Sequence, residues 1–250
     1  MLPHRLGFCG AAVALGAAWI FTCLWRSQLV TCLRFVNFKT DVVYLCGIGC
    51  NIELRRWFAD NYGRAESLSV LDVGGTTGYT RDYVRDMGDA LNVTYFRSFA
   101  HSYFRSRNLS RGVPDYALQW ECIDTRPRTT TVVGHSCSQY PGHHLPHMDK
   151  SKDVVLFSFV LHHSRDETIG LLQEAKRVAR QHVLVAEDFA TSKSEAKALF
   201  QHDWNATFRG LKEWRKIFDV LGMAIVHEVA IDEDCIPGQR NQRRLFVLKV

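Results

Sequence analysis

The sequence predicts an α/β fold with an open, mostly parallel sheet that helices cover on both faces. Three short apolar segments support this prediction: residues 70–73, 153–161 and 182–186. Runs of this length and composition are typical of central strands that are buried on both faces. A helical pattern joins the second segment to the third, and a strand–helix–strand unit of this kind places its two strands parallel in one sheet.

The first strand leads into a turn rich in glycine and threonine: Gly74, Gly75, Thr76, Thr77 and Gly78. A strand, a glycine-rich turn and a helix in that order form a cradle for a nucleotide-like ligand. Asp72 ends the strand, and a carboxylate there suits a ligand that is cationic or rich in N–H groups better than a pyrophosphate. The dinucleotide fingerprint would require glycines at Thr76 and Tyr79, so the sequence disfavours an NAD site.

The helix between the second and third strands has recognisable ends. Ser164 and Glu167 have the spacing of a capping box, which predicts that the helix starts there. Basic side chains cluster near its end, where they complement the helix dipole: Lys176, Arg177 and Arg180. One apolar stripe is predicted to face the sheet: Ile169, Leu172, Ala175 and Val178.

Several of these segments resemble one enzyme family. The spacing Asp72-x-Gly74-x-Thr76-x-Gly78 resembles motif I of class I S-adenosylmethionine-dependent methyltransferases, D/E-x-G-x-G-x-G, with Thr76 at the middle glycine. Residues 145–163 resemble the type 11 methyltransferase domain, in which a loop of the form L-P-F-x-D-x-S-F-D leads into a strand that ends in V-L-H-H. Residues 211–222 are similar to the penultimate helix of that family, and Gly222 suits its end. The resemblance covers about residues 65–250.

The resemblance implies a Rossmann-like class I methyltransferase fold with a mostly parallel seven-stranded sheet and helices on both faces. Residues 224–231 and 244–250 would be the antiparallel pair that closes the sheet. The implied cofactor is S-adenosyl-L-methionine. Its implied binding residues are Asp72, Gly74, Gly75, Thr76, Gly78, Asp124, Phe157 and Leu161.

Asp124 would bind the ribose hydroxyls of the cofactor, because it ends a segment, residues 118–124, that resembles the second strand of the family. If residues 91–96 form that strand instead, Asp124 is an ordinary loop residue. The family usually has an acidic residue near the adenine, but residues 138–144 contain no carboxylate. The adenine contact is therefore left to backbone groups, His135 or Ser136.

Two adjacent histidines are candidates for catalysis. Methyl transfer is an in-line displacement, and a base is needed only if the nucleophile must lose a proton. His162 and His163 follow the strand at residues 153–161, at the sheet edge where ligands bind. Their alternative role is to orient the loop, and Glu187 and Asp188, expected after the third strand, are alternative bases. The sequence also contains a cluster of four histidines: His135, His143, His144 and His147. They lack the ligand spacing of a zinc site, so no metal is expected.

The amino terminus predicts a membrane anchor. Residues 6–25 carry no charge and are long enough to span a bilayer. Arg5 and Arg26 flank them. A cleaved signal peptide would have a shorter apolar region and a clear cleavage site. The predicted organisation is an anchor at residues 1–26, a linker at 27–64 with a helix near 52–61, and a methyltransferase-like domain at 65–250. An aromatic and basic insertion at about 92–115 would cover the site, touch a membrane or have no chemical role.

The orientation of the anchor has evidence on both sides. Three basic residues follow the span and favour a cytosolic domain: Arg26, Arg34 and Lys39. The cofactor points the same way, because S-adenosylmethionine is a cytosolic metabolite. Sequons for N-glycosylation, which only a lumenal or secreted chain can use, stand at Asn92, Asn108 and Asn205. The eight cysteines include no C-x-x-C pair, so we expect them to be mostly reduced.

Two functions from different classes are compatible with these features. The first is a membrane-anchored methyltransferase that acts on a small-molecule or lipid-like acceptor. The second is a catalytically inactive methyltransferase-like protein that serves as a scaffold at a membrane. An NAD-dependent oxidoreductase is a distant third. The net charge of +5 is compatible with an anionic membrane surface, and no nucleic-acid partner is expected.

Overall fold

A computed structural model of the chain describes residues 48–75, 80–81, 85–86, 112–127, 137–202, 206–232 and 242–250. Its main feature is a seven-stranded sheet with the order β5-β4-β1-β6-β7-β9-β8. The strands are β1 (Leu68–Val73), β4 (Leu118–Asp124), β5 (Ser138–Gln139), β6 (Lys152–Ser158), β7 (Ala179–Phe189), β8 (Ala224–Asp232) and β9 (Gln242–Lys249). Two short strands, β2 (Arg85–Asp86) and β3 (Val113–Pro114), pair separately. Strands β5, β4, β1, β6 and β7 are parallel and β9 is antiparallel to β7, which confirms a mostly parallel seven-stranded sheet.

Side chains of alternate residues enter two separate cores, one on each face of the sheet. On one face, Leu71, Val155 and Val183 pack beneath the helices α2 (Thr168–Val178) and α4 (Leu211–Val220). On the other face, Val70 and Leu184 pack against the helix α1 (Ile48–Tyr62). The predicted burial of the central strands on both faces is therefore correct. A further helix, α3, covers Lys193–His202.

The helix α1 belongs to the core of the domain. The sequence assigned these residues to a linker, but Leu54, Trp57 and Phe58 are buried against the sheet. Trp57 also meets the Phe58 ring edge-on, with 5.1 Å between ring centroids. The folded unit thus begins before the first strand and comprises residues 49–231 and 242–250.

Two strand ends differ from the prediction. Strand β6 ends at Ser158 because Phe159 takes a left-handed backbone conformation, φ 54°, and the chain turns into a 3-10 helix at Leu161–His163. Strand β7 continues to Phe189, which pairs with Gln242 of β9. Glu187 and Asp188 therefore lie within β7, and the prediction that they follow the strand is wrong.

The start of α2 also differs, since a second 3-10 helix, Arg165–Glu167, precedes it. The Ser164 hydroxyl donates to the Leu161 carbonyl at 2.7 Å and caps no helix by its side chain, so the predicted capping box is wrong. Three residues of the predicted apolar stripe are buried: Leu172, Ala175 and Val178. Ile169 is exposed, and Leu171 takes its place in the core.

Some predictions fall outside the described residues. They are the anchor and most of the linker, Thr76 and Gly78 of the glycine-rich turn, most of the insertion, His135 and Ser136, and the asparagines of the three sequons. No helix in the described part of the chain is long and apolar enough to cross a membrane.

Candidate active site

The carboxyl ends of β1, β4 and β6 meet at one edge of the sheet. Val73, the last residue of β1, lies in register between Ile123 of β4 and Phe157 of β6. The Gly74 amide donates to the Ile123 carbonyl at 2.7 Å, so the turn after β1 leaves the sheet beside the end of β4. In open α/β sheets this edge is where ligands bind.

The two described glycines of the turn allow very close packing. Gly74 has φ +75°, and a Cβ there would lie 2.2 Å from a methyl carbon of Val160. A Cβ on Gly75 would lie 2.6 Å from both Asp72 Oδ2 and Cys122 Sγ. Any side chain would displace the turn, so glycine is required for its backbone to take this path.

Asp72 is a fully buried carboxyl group beneath this turn. Within the described residues, neither of its carboxylate oxygens accepts a hydrogen bond, and the nearby indole N–H of Trp120 is also unpaired. Burial raises the pKa of Asp72 to about 7, and the negative charge of Asp124 adds to this rise. The Thr80 and Trp120 side chains lower the pKa in part, although neither reaches hydrogen-bonding geometry. A buried carboxylate without a donor fits a ligand that supplies positive charge or N–H groups.

Asp124 ends β4, the strand that pairs directly with β1. Its Oδ1 accepts a hydrogen bond from the Arg126 amide at 2.7 Å, which fixes the carboxylate at the start of the turn. Its carbonyl accepts from the Tyr140 amide at 3.1 Å. Burial, together with the charge of Asp124, raises the pKa of the Tyr140 phenol to about 12. The alternative second strand at residues 91–96 lies outside the described residues.

His162 is held in a buried contact with Glu187. Its Nδ1 lies 2.6 Å from Glu187 Oε2, and the side chains of both residues are almost completely buried. Glu187 Oε1 accepts hydrogen bonds from the backbone amides of Val160 at 3.1 Å and Leu161 at 2.7 Å. A single carboxylate thus fixes both the loop after β6 and one ring nitrogen of His162.

The other candidates lie in different surroundings. His163 is exposed, with its ring 4.2 Å from that of His162. Asp188 forms an ion pair with Arg243 at 2.6 Å. Phe157 and Leu161, predicted to contact the cofactor, are fully buried in the core beside β6.

The described histidines of the suggested cluster do not converge. His144 Nδ1 lies 2.6 Å from Glu174 Oε2, whereas His147 Nε2 lies 2.9 Å from Glu121 Oε1. In the described ranges of the chain, no group of three or more potential metal ligands is present. His143 is exposed, and His135 lies outside these ranges.

Sequence reasoning missed two features of this edge. Glu187 was expected after β7, but it lies within β7 directly after Ala186, which pairs with Ser158 at the end of β6, and this register places it against the loop after β6. Cys122 and Cys137 form a disulfide, so the prediction of mostly reduced cysteines is wrong for this pair. Their separation of 15 positions matches no motif, and only the register of β4 brings Cys122 beside Asp72.

Comparison with known proteins agrees with this geometry. Residues 71–186 match the family model of a methyltransferase domain, type 11. This chain carries a type 11 methyltransferase domain. The predicted family, the S-adenosylmethionine-dependent enzyme class and the cofactor that belongs to it are thereby confirmed. No curated protein sequence gives a significant match.

Solved structures are similar to this methyltransferase domain at low sequence identity. Magnesium protoporphyrin IX methyltransferase from Synechocystis PCC 6803 with bound SAH is 13% identical, with a TM-score of 0.50 over 86% of this chain and 88% of that chain. The same protein with bound SAM gives 14% identity and a TM-score of 0.49 over 86% and 85%. A SAM-dependent methyltransferase from Aquifex aeolicus is 16% identical, with a TM-score of 0.42 over 76% and 87%. The first of these likenesses supports the Rossmann-like fold.

Proposed function

We propose that this protein transfers the methyl group of S-adenosylmethionine to a small-molecule or lipid-like acceptor at a membrane. The observation that supports the cofactor site best is the buried carboxyl group of Asp72. It lies beneath a turn whose two glycines leave no space for a side chain, and within the described residues its oxygens accept no hydrogen bond. S-adenosylmethionine carries an ammonium group and a sulfonium centre, and such a ligand compensates the charge that burial disfavours.

Each cofactor-binding residue has a proposed role. Asp72 faces the positively charged part of the cofactor, and the backbone of Gly74 and Gly75 lies against it. Asp124 accepts hydrogen bonds from the ribose hydroxyls, because its carboxylate stands at the end of the neighbouring strand. Thr76 and Gly78 follow Gly75 in the sequence and are proposed to bind the cofactor as well. Phe157 and Leu161 support the site from the core below it.

The chemistry that the chain must supply is alignment, exclusion of water and, for some acceptors, removal of a proton. The cofactor supplies an activated methyl group. His162 is the proposed base, with His163 as the alternative. Glu187 holds the Nδ1 side of the His162 ring, which fixes the ring orientation and determines the tautomer of the neutral imidazole. A proton taken up by His162 is stabilised by the negative charge of Glu187.

The proposed acceptor class follows from the amino terminus. The apolar residues 6–25 suit a single-pass anchor, and an enzyme held at a membrane meets acceptors that partition into it. The domain is proposed to face the cytosol, where its cofactor is made. The lumenal alternative is supported by the three sequons and by the Cys122–Cys137 disulfide, because disulfides persist in oxidising compartments.

The cofactor site is tested by calorimetric titration of the full chain in detergent with S-adenosylmethionine and with its demethylated product. We expect micromolar binding that Asp72→Ala abolishes. Asp60→Ala is the matched control, because Asp60 is an exposed acid on α1 and its loss leaves the sheet edge intact. A folded wild-type protein that binds neither ligand would exclude the enzyme and favour the scaffold alternative.

A further inference from the structure

The disulfide between Cys122 and Cys137 lies directly against the candidate cofactor site. Cys122 is in register with Asp72 on the neighbouring strand, and it precedes Asp124 by two positions. Its sulfur packs so closely on the glycine-rich turn that a Cβ on Gly75 would lie 2.6 Å from it. The same sulfur therefore lies on β4, which carries Asp124, and contacts the turn that follows β1, which carries Asp72.

The other half of the disulfide anchors a weakly held strand. Cys137 directly precedes β5, which has only two residues and pairs with β4 through Ile123↔Ser138 and Asp124↔Gln139. A ladder this short has little stability of its own. The bond between the sulfurs therefore helps to keep β5 beside Asp124, where the Tyr140 amide also bonds to the Asp124 carbonyl.

We infer that the Cys122–Cys137 pair is a redox-sensitive clamp on the cofactor site, closed as a disulfide and loosened as two thiols. Two unbonded sulfur atoms must separate to van der Waals contact. Gly75 already fills the space on one side of Cys122, so the turn or β5 must move when the bond opens. Either movement changes the positions of Asp72 and Asp124 relative to each other. The effect on cofactor affinity rests on the proposed function, whereas the movement itself does not.

The opening reaction is a thiol–disulfide exchange with a dithiol. A thiolate of the dithiol attacks one cysteine sulfur and forms a mixed disulfide, and the other cysteine leaves as a thiol. The second thiol of the dithiol then releases the first cysteine. Two electrons and two protons pass to the cysteine pair, and the dithiol becomes a disulfide. Cys122 is 9% and Cys137 is 6% exposed, so we expect this reaction to be slow and to be limited by opening of the turn.

The test compares the oxidised full chain with the same protein after reduction by dithiothreitol. Hydrogen exchange is followed in peptides that contain Gly74–Gly75 and in those that contain Asp124 or Ser138–Tyr140, and calorimetry measures binding of the demethylated cofactor product. We expect reduction to speed exchange in these peptides at least fivefold and to weaken binding at least fivefold. Exchange in the β7–β9 ladder, which lies away from the disulfide in the sheet order, should not change.

Two variants complete the test. Cys137→Ala should match the reduced wild type without dithiol and should not respond to it, whereas Cys50→Ala should respond as the wild type does. Equal exchange in the oxidised and reduced proteins, or a Cys137→Ala variant that behaves as the oxidised protein, would overturn the clamp. If the oxidised protein binds no cofactor, the proposed function fails, and the exchange difference still decides whether the clamp exists.

Discussion

At the scale of single residues, protonation of Asp72 is expected to affect stability and cofactor binding in opposite directions. The neutral form stabilises the fold, whereas the ionised form binds the cofactor. The folded-state pKa of Asp72, about 7, lies above the ordinary value of 3.8 for an aspartate, because the charged form is buried. Such a group favours the folded state below its unfolded pKa, and this contribution is lost as pH rises toward 7. The difference of about three units corresponds to an upper limit of roughly 4 kcal/mol. A ligand that supplies positive charge removes part of this cost.

The first prediction concerns the protein without cofactor. Its melting temperature should fall as pH rises from about 4 to 7, and Asp72→Asn should raise it above that of the wild type at pH 8, because an uncharged amide replaces the buried charge. Thermal denaturation across this pH range measures both effects. Asp60→Asn, on the exposed side of α1, should leave the wild-type pH dependence unchanged. A variant that melts at the same temperature as the wild type at pH 8 would contradict this account.

The affinity for the cofactor should depend on pH in the opposite direction to the melting temperature. Binding requires the ionised carboxylate, so affinity should increase as pH rises from 5.5 to 7, by up to roughly tenfold per unit. Calorimetric titration with the demethylated product at several pH values provides the measurement. In Asp72→Asn the affinity should be low and nearly independent of pH over this range. An equally steep dependence in the variant would assign the titration to another group.

Gly75 is predicted to be irreplaceable for packing rather than for backbone conformation. Gly75→Ala places a methyl group 2.6 Å from Asp72 Oδ2 and Cys122 Sγ, and we expect a loss of about 1–3 kcal/mol in the free energy of unfolding together with loss of cofactor binding. The control is Gly170→Ala within α2, where the nearest atom is 3.7 Å away. That change should stabilise the helix slightly. Urea unfolding measures the stability of both variants, and calorimetry measures their cofactor binding. Gly75→Ala should lose both properties, and Gly170→Ala should lose neither.

At the scale of elements, the sequence predicted which segments are strands better than where they end. Apolar runs identify β1, β6 and β7 because burial on both faces leaves a continuous pattern. The end of β6 depends on the left-handed backbone at Phe159, and the length of β7 depends on its pairing with β9. Neither is visible in a local pattern. The disulfide and the contact of Glu187 with His162 depend on register in the same way. The spacing of the glycine-rich turn was enough to predict Asp72 and Gly74, whereas Asp124 was predicted only from a resemblance that left a second strand open.

The helix α1 provides a prediction at this scale. It precedes residues 71–186, which match the family model, yet Phe58 is fully buried among the side chains of β1, β6 and β7. Phe58→Ala should therefore destabilise the domain by about 3–5 kcal/mol. Asp60→Ala, in the same helix but exposed, is the control and should change stability little. A midpoint of urea denaturation that Phe58→Ala leaves unchanged would show that α1 is not needed for the fold.

At the scale of the whole molecule, the proposed anchor at residues 6–25 leaves two orientations, and the side of the membrane that would carry the domain decides the state of the cysteine pair. A cytosolic domain meets dithiol reductants that open Cys122–Cys137, whereas a lumenal domain keeps it closed. The charge distribution around residues 6–25 supports the first arrangement, and the three sequons support the second. Glycosylation distinguishes the two arrangements directly, because only a lumenal chain can carry N-linked glycans.

For the cytosolic arrangement, we expect the full-length chain in membranes to migrate identically before and after treatment with a glycosidase. Protease added to intact, cytosol-facing vesicles should digest the domain, because in this arrangement the domain lies outside the vesicle. A mobility shift that disappears when Asn92, Asn108 and Asn205 are all replaced by Gln would establish the lumenal arrangement instead. In that case the cofactor must be imported to reach Asp72, and the disulfide becomes a permanent part of the site. The same gel, run without reductant after alkylation of free thiols, reports the state of the cysteine pair in each arrangement.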